Sequence, residues 1–312
     1  MIILILLCLL SLEPLIAGEP AHLLFSRIGP TRIGLFLANA DGSNKHALLP
    51  ADSLDYNPSF SADGKWIVFT SERASQSDGS ADIFRIHPDG SGLERLTDDP
   101  AFDDQGAPSP DGSRLAFVST REGGFANIWL EDLSSRRARP IAKTNAGSFR
   151  PSWSPDGRWI AFTSDRDTKR ARWDGGWELI QSTALYIVRA DGSSLRRLTE
   201  LGGYAGSPQW SPDGRQIVFY RSTPQDVYPG RFGRHRPAVS QIVSMDVESG
   251  AVHVYTSGPG LKVAPQWLPD GEVGFLQKFG AAKGLAFVSG KAGVPGTMRH
   301  QSWSAYGKTV FY

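Results

Sequence analysis

Residues 153–157 read Trp-Ser-Pro-Asp-Gly, and variants of this phrase recur along almost the whole chain. The other copies occupy residues 60–64, 109–112, 210–214 and 267–271, and a decayed copy, Trp-Ser-Ala-Tyr-Gly, occupies residues 303–307. The closing glycines of the six copies lie 48, 45, 57, 57 and 36 residues apart, a spacing that lets each repeat supply four short strands and their turns. The chain is therefore an array of one supersecondary unit.

Each copy of the phrase predicts a tight turn that leads into a buried strand. Proline pre-sets the first central position of a type I turn, aspartate suits the second, and glycine closes it. A nearly continuous apolar run follows, as in residues 66–70 and 159–163. Such runs are typical of strands that are covered on both faces. We interpret Asp63, Asp111, Asp156, Asp213 and Asp270 as turn residues and not as catalytic carboxylates.

The remaining strands of each repeat predict a closed ring. A third strand, such as residues 82–86, leads through an Asp-Gly turn into a fourth. We predict an all-β fold, a six-bladed β-propeller of four-stranded antiparallel blades, in which C-terminal strands complete the blade begun by residues 33–49. Closure removes exposed edge strands. Residues 22–25 and 309–312 both read as second strands, so one of them is expected to be peripheral. A seven-bladed ring that lost part of its last blade is the alternative.

The N-terminus predicts export. Residues 2–12 form an apolar run that is too short to span a membrane, and the small residues Ala17 and Gly18 follow it. We assign residues 1–18 to a signal peptide and residues 19–312 to the propeller domain. A retained N-terminal anchor is the alternative. The expected product is a periplasmic or secreted monomer with no membrane span after signal removal.

Charge and cysteine content exclude some classes of protein. The chain carries 33 Lys and Arg against 32 Asp and Glu, a net charge of +1, and removal of the signal with its Glu13 changes this to +2. Such a balance gives no general attraction for nucleic acid. Cys8 is the single cysteine, so a mature chain without the signal would contain none. The fold is therefore expected to depend on packing alone.

The repeat resembles that of the TolB-like propeller family, which reads aromatic-Ser-Pro-Asp-Gly-basic-x-apolar-x-aromatic. Residues 153–162 and 210–219 match this pattern at every position, and the resemblance covers about residues 22–312. It implies a propeller that makes protein–protein contacts at the cell envelope, although similar propellers also occur attached to serine peptidases of the prolyl-oligopeptidase type. The chain contains no Gly-x-Ser-x-Gly or His-Glu-x-x-His motif.

We therefore expect a non-catalytic scaffold that binds a protein or peptide partner in the cell envelope. Two long insertions, residues 165–183 and 221–239, join second to third strands in adjacent blades, so both are expected on one loop face. They are rich in arginine and aromatic residues, which dominate interface hot spots. The predicted partner-binding residues are Arg170, Arg172, Trp173, Trp177, Tyr228, Arg231, Phe232, Arg234, His235 and Arg236.

Other interpretations of these features stay open. Both loops could be solvent-exposed segments without a binding role. A hydrolase, a lyase or a carbohydrate-binding protein could instead carry its site at the mouth of the central channel, where Tyr204, Trp173 and Trp177 would stack on sugar rings. An arginine follows the second strand in several repeats, and we interpret this set as braces for the blades: Arg73, Arg121, Arg166 and Arg221.

Acidic residues on the links between blades raise the question of a metal. The set that could line the mouth of the channel is Asp55, Asp98, Asp99, Asp103 and Asp104. Calcium takes six to eight oxygen ligands, but no contiguous loop supplies them at EF-hand spacing. We therefore expect no cofactor, with Ca²⁺ in the central channel as the alternative.

Overall fold

The protein is built from short β-strands. The computed structural model describes residues 22–28, 33–39, 41–50, 52–74, 80–168, 182–226, 238–268, 270–298 and 301–302. No helix in these residues is long and apolar enough to cross a membrane. Residues 1–21, which include the predicted signal peptide, lie outside the described residues, as do residues 309–312. The division into a signal peptide and a propeller domain at residue 18 therefore stays a prediction.

The described strands follow one another along the chain with short connections. The first twelve are β1 (His22–Ile28), β2 (Ile33–Asn39), β3 (His46–Ala47), β4 (Asp55–Phe60), β5 (Ile67–Ser71), β6 (Asp82–Ile86), β7 (Glu94–Arg95), β8 (Asp103–Pro108), β9 (Arg114–Ser119), β10 (Asn127–Asp132), β11 (Arg137–Pro140) and β12 (Ser148–Trp153). The others are β13 (Trp159–Ser164), β14 (Ala184–Arg189), β15 (Arg196–Arg197), β16 (Tyr204–Trp210), β17 (Gln216–Ser222), β18 (Gln241–Asp246), β19 (Val252–Val254), β20 (Lys262–Trp267), β21 (Val273–Gln277), β22 (Gly284–Phe287), β23 (Val294–Pro295) and β24 (Gln301–Ser302).

These strands form six four-stranded sheets within the described residues. Five sheets each use four consecutive strands, β4–β7, β8–β11, β12–β15, β16–β19 and β20–β23. In the remaining sheet, the C-terminal β24 pairs with β1, which continues to β2 and β3. All neighbouring strands within these sheets are antiparallel. The prediction of an all-β propeller with four-stranded antiparallel blades is confirmed.

The second strands are buried because their apolar runs pack against neighbouring sheets on both faces. All five residues of β5 are buried, and so are all but the first residue of β9 and of β13. A phenylalanine lies five residues after four of the turn glycines, and each is at most 1% exposed: Phe69, Phe117, Phe162 and Phe219. Complete burial of one such side chain contributes about 1.5–3 kcal/mol.

The core consists of apolar clusters between successive sheets. Val68 and Ile83 of the β4–β7 sheet pack with Leu115 and Phe117 of the β8–β11 sheet. Equivalent clusters lie between the β8–β11 and β12–β15 sheets, between the β12–β15 and β16–β19 sheets, and between the β16–β19 and β20–β23 sheets. Two more clusters involve the sheet of β24 and β1–β3, one shared with β4–β7 and the other, through Ala38, with β20–β23. The sheets therefore contact one another in cyclic order.

The repeated phrase forms the turn that was predicted for it. Ser154 Oγ donates to Asp156 Oδ1 at 2.5 Å, and the backbone N–H groups of Arg158 and Trp159 donate to Asp156 Oδ1 and Ser154 Oγ. Gly157 has a φ of 67°, which is unfavourable for any residue with a side chain. In an equivalent turn, the hydrogen bond from Ser109 lowers the pKa of Asp111 to about 2. These aspartates therefore stabilise turns.

An arginine after the second strand ties together the strands of its own blade. Arg73 Nη2 donates to Asp55 Oδ2 at 2.7 Å, and its Nε donates to Ser71 Oγ at 2.9 Å. Arg121 repeats this arrangement with Asp103 at 2.6 Å and with Ser119. The predicted structural role is confirmed for Arg73 and Arg121, whose contacts lie within one blade. Arg166 instead reaches the carbonyl oxygen of Ala142, on the link that follows β11, and for Arg221 the role stays a prediction.

Candidate functional site

A bulge interrupts the innermost strand of five sheets at the same place. The ladder register shifts there in β4, β8, β12, β16 and β20. One residue in each bulge has a left-handed φ between 49° and 58°: Asn57, Gln105, Arg150, Ser207 and Ala264. A residue with a side chain pays about 1–2 kcal/mol for that conformation. Bulges re-aim side chains, and they are often found beside functional sites.

A cavity of about 240 Å³ lies among these bulges. Its lining comes from the innermost strand of every described sheet, namely β4, β8, β12, β16, β20 and β24. The cavity is therefore the central channel of the propeller. It also contacts Ala62 and Pro110, which belong to the tight turns after β4 and β8. The cavity thus extends towards the end of the channel where the tight turns lie.

A buried carboxylate organises one wall of the channel. Asp104 accepts hydrogen bonds from Asn57 Nδ2 at 2.5 Å and from Thr70 Oγ1 at 2.7 Å. It also accepts from the backbone N–H of Gln105 at 2.7 Å and from Gln105 Nε2 at 3.0 Å. Because both amide nitrogens bind Asp104, the amide oxygens of Asn57 and Gln105 point elsewhere. These four bonds therefore set the orientation of two channel side chains.

The two amide oxygens accept hydrogen bonds from Arg150. Its Nη1 donates to Asn57 Oδ1 at 3.2 Å, and its backbone N–H donates to Gln105 Oε1 at 2.7 Å. Among the described residues that line the cavity, Arg150 is the one with a charged side chain. Burial raises the pKa of the nearby Tyr220 hydroxyl, and the positive charge of Arg150 opposes that rise. The wall is therefore cationic at this point.

The opposite wall presents amide oxygens. Gln301 is 4% exposed, and its Nε2 donates to the carbonyl oxygen of Ala264 at 2.8 Å. The Oε1 atoms of Gln301 and Gln266 are buried and have no hydrogen-bond partner among the described residues. A buried acceptor without a partner costs about 1–3 kcal/mol. These two oxygens are therefore unsatisfied acceptors within the described part of the wall.

Every predicted partner-binding residue falls in two segments, 169–181 and 227–237, that lie outside the described residues. The full set is Arg170, Arg172, Trp173, Trp177, Tyr228, Arg231, Phe232, Arg234, His235 and Arg236. The flanking strands are described: β13 precedes the first segment and β17 precedes the second. Both are second strands of adjacent sheets, so both end at the same side of the ring. The partner-binding assignment stays a prediction.

The channel residues were missed from the sequence, although a signal for them was present. In four repeats the left-handed residue lies three positions before the aromatic residue and directly before a proline, as Arg150 does before Pro151 and Trp153. Proline restricts the residue that precedes it. A polar residue at that position in successive repeats could therefore have indicated the bulge.

The acidic link residues are largely engaged with protein groups. Asp55 and Asp103 bind Arg73 and Arg121, while Asp104 binds the amides of the channel wall. Within the described residues no group of three His, Cys, Asp or Glu side chains converges as a metal site would require. Calcium in the central channel stays a prediction that these contacts do not support.

Replacing Gly206 by alanine is expected to destabilise the channel wall. A Cβ atom at this position would overlap the ring of Tyr220. Overpacking of this kind typically costs about 1–3 kcal/mol, measurable by urea denaturation. In a Tyr220→Ala background the same change is expected to cost much less, because the overlapping ring is gone. Equal costs in the two backgrounds would contradict the proposed overlap.

Comparison with known proteins finds partial similarity to a peptidase and to TolB proteins. No family model matches the chain. An uncharacterized peptidase of Bacillus subtilis, YuxL, is 30% identical over 193 residues, which cover 53% of this chain and 27% of that protein. The Tol-Pal system protein TolB of Francisella tularensis is 27% identical over 232 residues, which cover 72% of this chain and 46% of that protein. The chain thus spans less than half the length of both curated relatives.

The solved structures show the same fold over nearly the whole chain. A putative TolB from Agrobacterium tumefaciens superimposes with a TM-score of 0.61 at 21% sequence identity. The match covers 93% of this chain and 96% of that one. The recurring turn phrase resembles that of TolB-like propellers, and the four-stranded antiparallel blades together with these likenesses show that the chain has a β-propeller fold.

Proposed function

We propose that the chain is an exported, non-catalytic propeller scaffold that binds a protein or peptide partner of the cell envelope. The observation that carries this proposal is the central channel. Its lining combines amides, prolines, aromatic rings and one guanidinium, which are groups that recognise a polypeptide through hydrogen bonds and apolar contact. The relative called a Tol-Pal system protein supports an envelope location and a binding role.

The loop face is proposed as the main partner surface. The insertions at 165–183 and 221–239 leave from β13 and β17, whose residues are mostly buried and therefore form a rigid base. Loops on rigid strands are where binding residues concentrate. The ten arginine, aromatic and histidine residues named above supply side chains of the type that dominates interfaces.

We also propose that the ring has six blades and is closed by the C-terminus. The six four-stranded sheets and the clusters between them support this count. The pairing of β24 with β1 supports the closure, because it joins the two ends of the chain in one sheet. The seven-bladed alternative would need strands beyond those that the structure describes.

Export and a monomeric state complete the proposal. Residues 1–18 carry the features of a secretory signal, so the propeller would act in the periplasm or outside the cell. The blades leave only short outer strands at their edges, which favours a monomer.

A charge-reversal experiment tests the loop face. The variant Arg231→Glu, Arg234→Glu, Arg236→Glu is expected to lose a partner that the wild-type protein captures from envelope extracts, because three of the proposed binding cations become acidic. The matched control reverses three exposed cations on β11 and on the tight turns, Arg137→Glu, Arg158→Glu and Arg215→Glu, and changes the net charge equally. Circular dichroism confirms that both variants are folded.

The outcomes of this experiment separate the alternatives. Loss of the partner in the loop variant with retention in the control supports the loop face. Unchanged capture by the loop variant contradicts the assignment of these arginines. Loss in both variants would mean that overall charge, and not the loop face, governs the interaction.

A further inference from the structure

We propose that a groove between the β12–β15 and β16–β19 sheets binds an amphiphile with a zwitterionic head and one extended apolar tail. The groove is a cavity of about 470 Å³, within the range of about 300–1,000 Å³ that is usual for small-molecule sites. It shares no described lining residue with the cavity of the central channel. The inference goes beyond the proposed partner binding and does not depend on it.

The groove lies where other blades hold an arginine. In the three preceding sheets, an arginine four positions after the buried phenylalanine of the second strand places its guanidinium carbon 5.2–5.7 Å from the centre of that ring: Arg73, Arg121 and Arg166. In the β16–β19 sheet, Thr223 stands four positions after Phe219. Ala205 takes the place in the strand register that Asp55 has in the β4–β7 sheet. Thr223, Ala205 and Phe219 all line the groove, so it occupies the space that the arginine fills elsewhere.

The groove is elongated along one face of the β16–β19 sheet. Phe219 and Arg221 point to the same face, because alternate residues of a strand do. Met245 pairs with Ile217, which lies four residues from Arg221 along β17, a distance of about 13 Å. Phe219 and Met245 also pack in one apolar cluster with the β12–β15 sheet. Arg221 therefore lies near one end of the groove and Met245 near the other.

The apolar lining selects an apolar tail. Leu201 is 41% exposed and Val252 is 43% exposed, and Leu198 is partly buried beside them. Large apolar side chains from two blades thus meet in one open groove. Removal of such surface from water favours binding of an apolar ligand. The length of the groove suits an extended chain and not a compact ring.

The charges at one end select a zwitterionic head. Arg221 and Glu200 both line the groove, and both are exposed. Neither forms a hydrogen bond or an ion pair within the described parts of the chain. Glu200 belongs to the link between β15 and β16, and Arg221 lies near the end of β17, so both charges are at the loop end of the groove. A ligand with an anionic group for Arg221 and an ammonium for Glu200 is complementary to this pair.

Calorimetric titration of the full-length protein with dodecyl amphiphiles, each below its critical micelle concentration at pH 7, tests the proposal. Lauroyl-lysophosphatidylethanolamine carries a phosphate and an ammonium, and N-dodecyl-β-alanine carries a carboxylate and an ammonium. Dodecanoate lacks the ammonium, and dodecyl maltoside lacks both charges. We expect a zwitterion to bind at least about tenfold more tightly than either of these two controls. Glycerophosphoethanolamine, which has no tail, is expected not to bind.

Substitutions of the two charges locate the head. Arg221→Gln is expected to weaken zwitterion binding at least about tenfold and to leave binding of dodecyl maltoside unchanged. Glu200→Gln is expected to weaken zwitterion binding but to strengthen binding of dodecanoate, because a repelling carboxylate is gone. The matched control, Arg215→Gln, changes an exposed cation on the tight turn of the same sheet and is expected to bind as the wild type does.

Substitutions on β19 locate the tail. Val252→Trp fills the groove from an exposed position and is expected to abolish binding of every amphiphile. His253→Trp is the matched control, because the next residue of a strand points to the opposite face of the sheet. It is expected to bind as the wild type does.

The proposal is supported if Arg221→Gln and Val252→Trp lose zwitterion binding while both matched controls keep it. Tighter binding of the phosphate or of the carboxylate zwitterion then identifies which anionic group the site prefers. Three results would each overturn the proposal: no zwitterion binds, dodecyl maltoside binds as tightly as the zwitterions, or Arg221→Gln binds the zwitterions as the wild type does. Partner capture by the loop face is a separate measurement and changes none of these outcomes.

Discussion

A chain truncated after Met298 is expected to lose at least about 3 kcal/mol of unfolding free energy. The truncation removes β24, which supplies the innermost strand of the sheet that contains β1–β3. It also removes Ser302 Oγ as the acceptor for the backbone N–H of Phe60, and the bond from Gln301 Nε2 to the carbonyl of Ala264. Each lost hydrogen bond costs about 1 kcal/mol, and the ladder to β1 adds more. Urea denaturation of the two chains measures the difference.

Adding the missing segment back provides the control. A synthetic peptide of residues 299–312 is expected to bind the truncated protein and restore most of its stability, since it can add a strand to the open edge of β1. A scrambled peptide of the same composition is expected to have no effect. Equal stability of the truncated and full-length proteins would contradict closure of the ring by β24.

Replacement of Arg121 by methionine is expected to lower the unfolding free energy by about 3–5 kcal/mol at pH 8. Arg121 donates to Asp103, whose side chain is completely buried, at 2.6 Å. Its guanidinium also lies over the rings of Phe117 and Trp129. Methionine keeps apolar contact with these rings but leaves the carboxylate without its counter-charge. The exposed Arg137→Met is the matched control, and a change within about 0.5 kcal/mol is expected there.

The pH dependence of this loss distinguishes charge from packing. Burial raises the pKa of Asp103 to about 6, although Ser119 and Arg121 oppose the rise. The unfolded pKa is about 3.9, so the stability that protonation of Asp103 contributes is complete below about pH 4 and is lost as the pH rises through 6. Arg121→Met is therefore expected to lower the unfolding free energy less at pH 5 than at pH 8.

The double variant Asp103→Asn, Arg121→Met is expected to recover much of the lost unfolding free energy, and its stability is expected to depend less on pH. A pH-independent loss that Asp103→Asn does not relieve would contradict the ion-pair account.

The architecture of the blades could be predicted because its signals are local. The turn at Ser154–Gly157 is held by hydrogen bonds between residues two to five positions apart, so the phrase and the two residues that follow it contain what is needed to form it. Phe162 lies five residues after Gly157, as the equivalent phenylalanines of three other repeats lie after their turn glycines, and all four are buried. An array of such units can bury its apolar strands in only a few arrangements, and a ring of blades is one of them.

The role of the repeated arginines was only partly predictable. Their recurrence after the second strand indicates a structural task, and the structure agrees. The acceptors differ from blade to blade, however. Arg73 donates to the carboxylate of Asp55, while Arg166 donates to the carbonyl oxygen of Ala142 and to Ser148 Oγ. A pattern shows that a position is used repeatedly, but its partner depends on the residue that the first strand presents.

The repeat, the turns and the apolar second strands, and hence the propeller class, follow from the sequence alone, because each is written within one repeat. The side chains that form the channel follow only from the tertiary structure. Asn57 and Asp104 are 47 positions apart in the chain, and Asn57 and Arg150 are 93 apart, yet they are hydrogen-bonded. The ring brings the bulges of different blades to one axis, and no property of a single repeat specifies which residues will meet there.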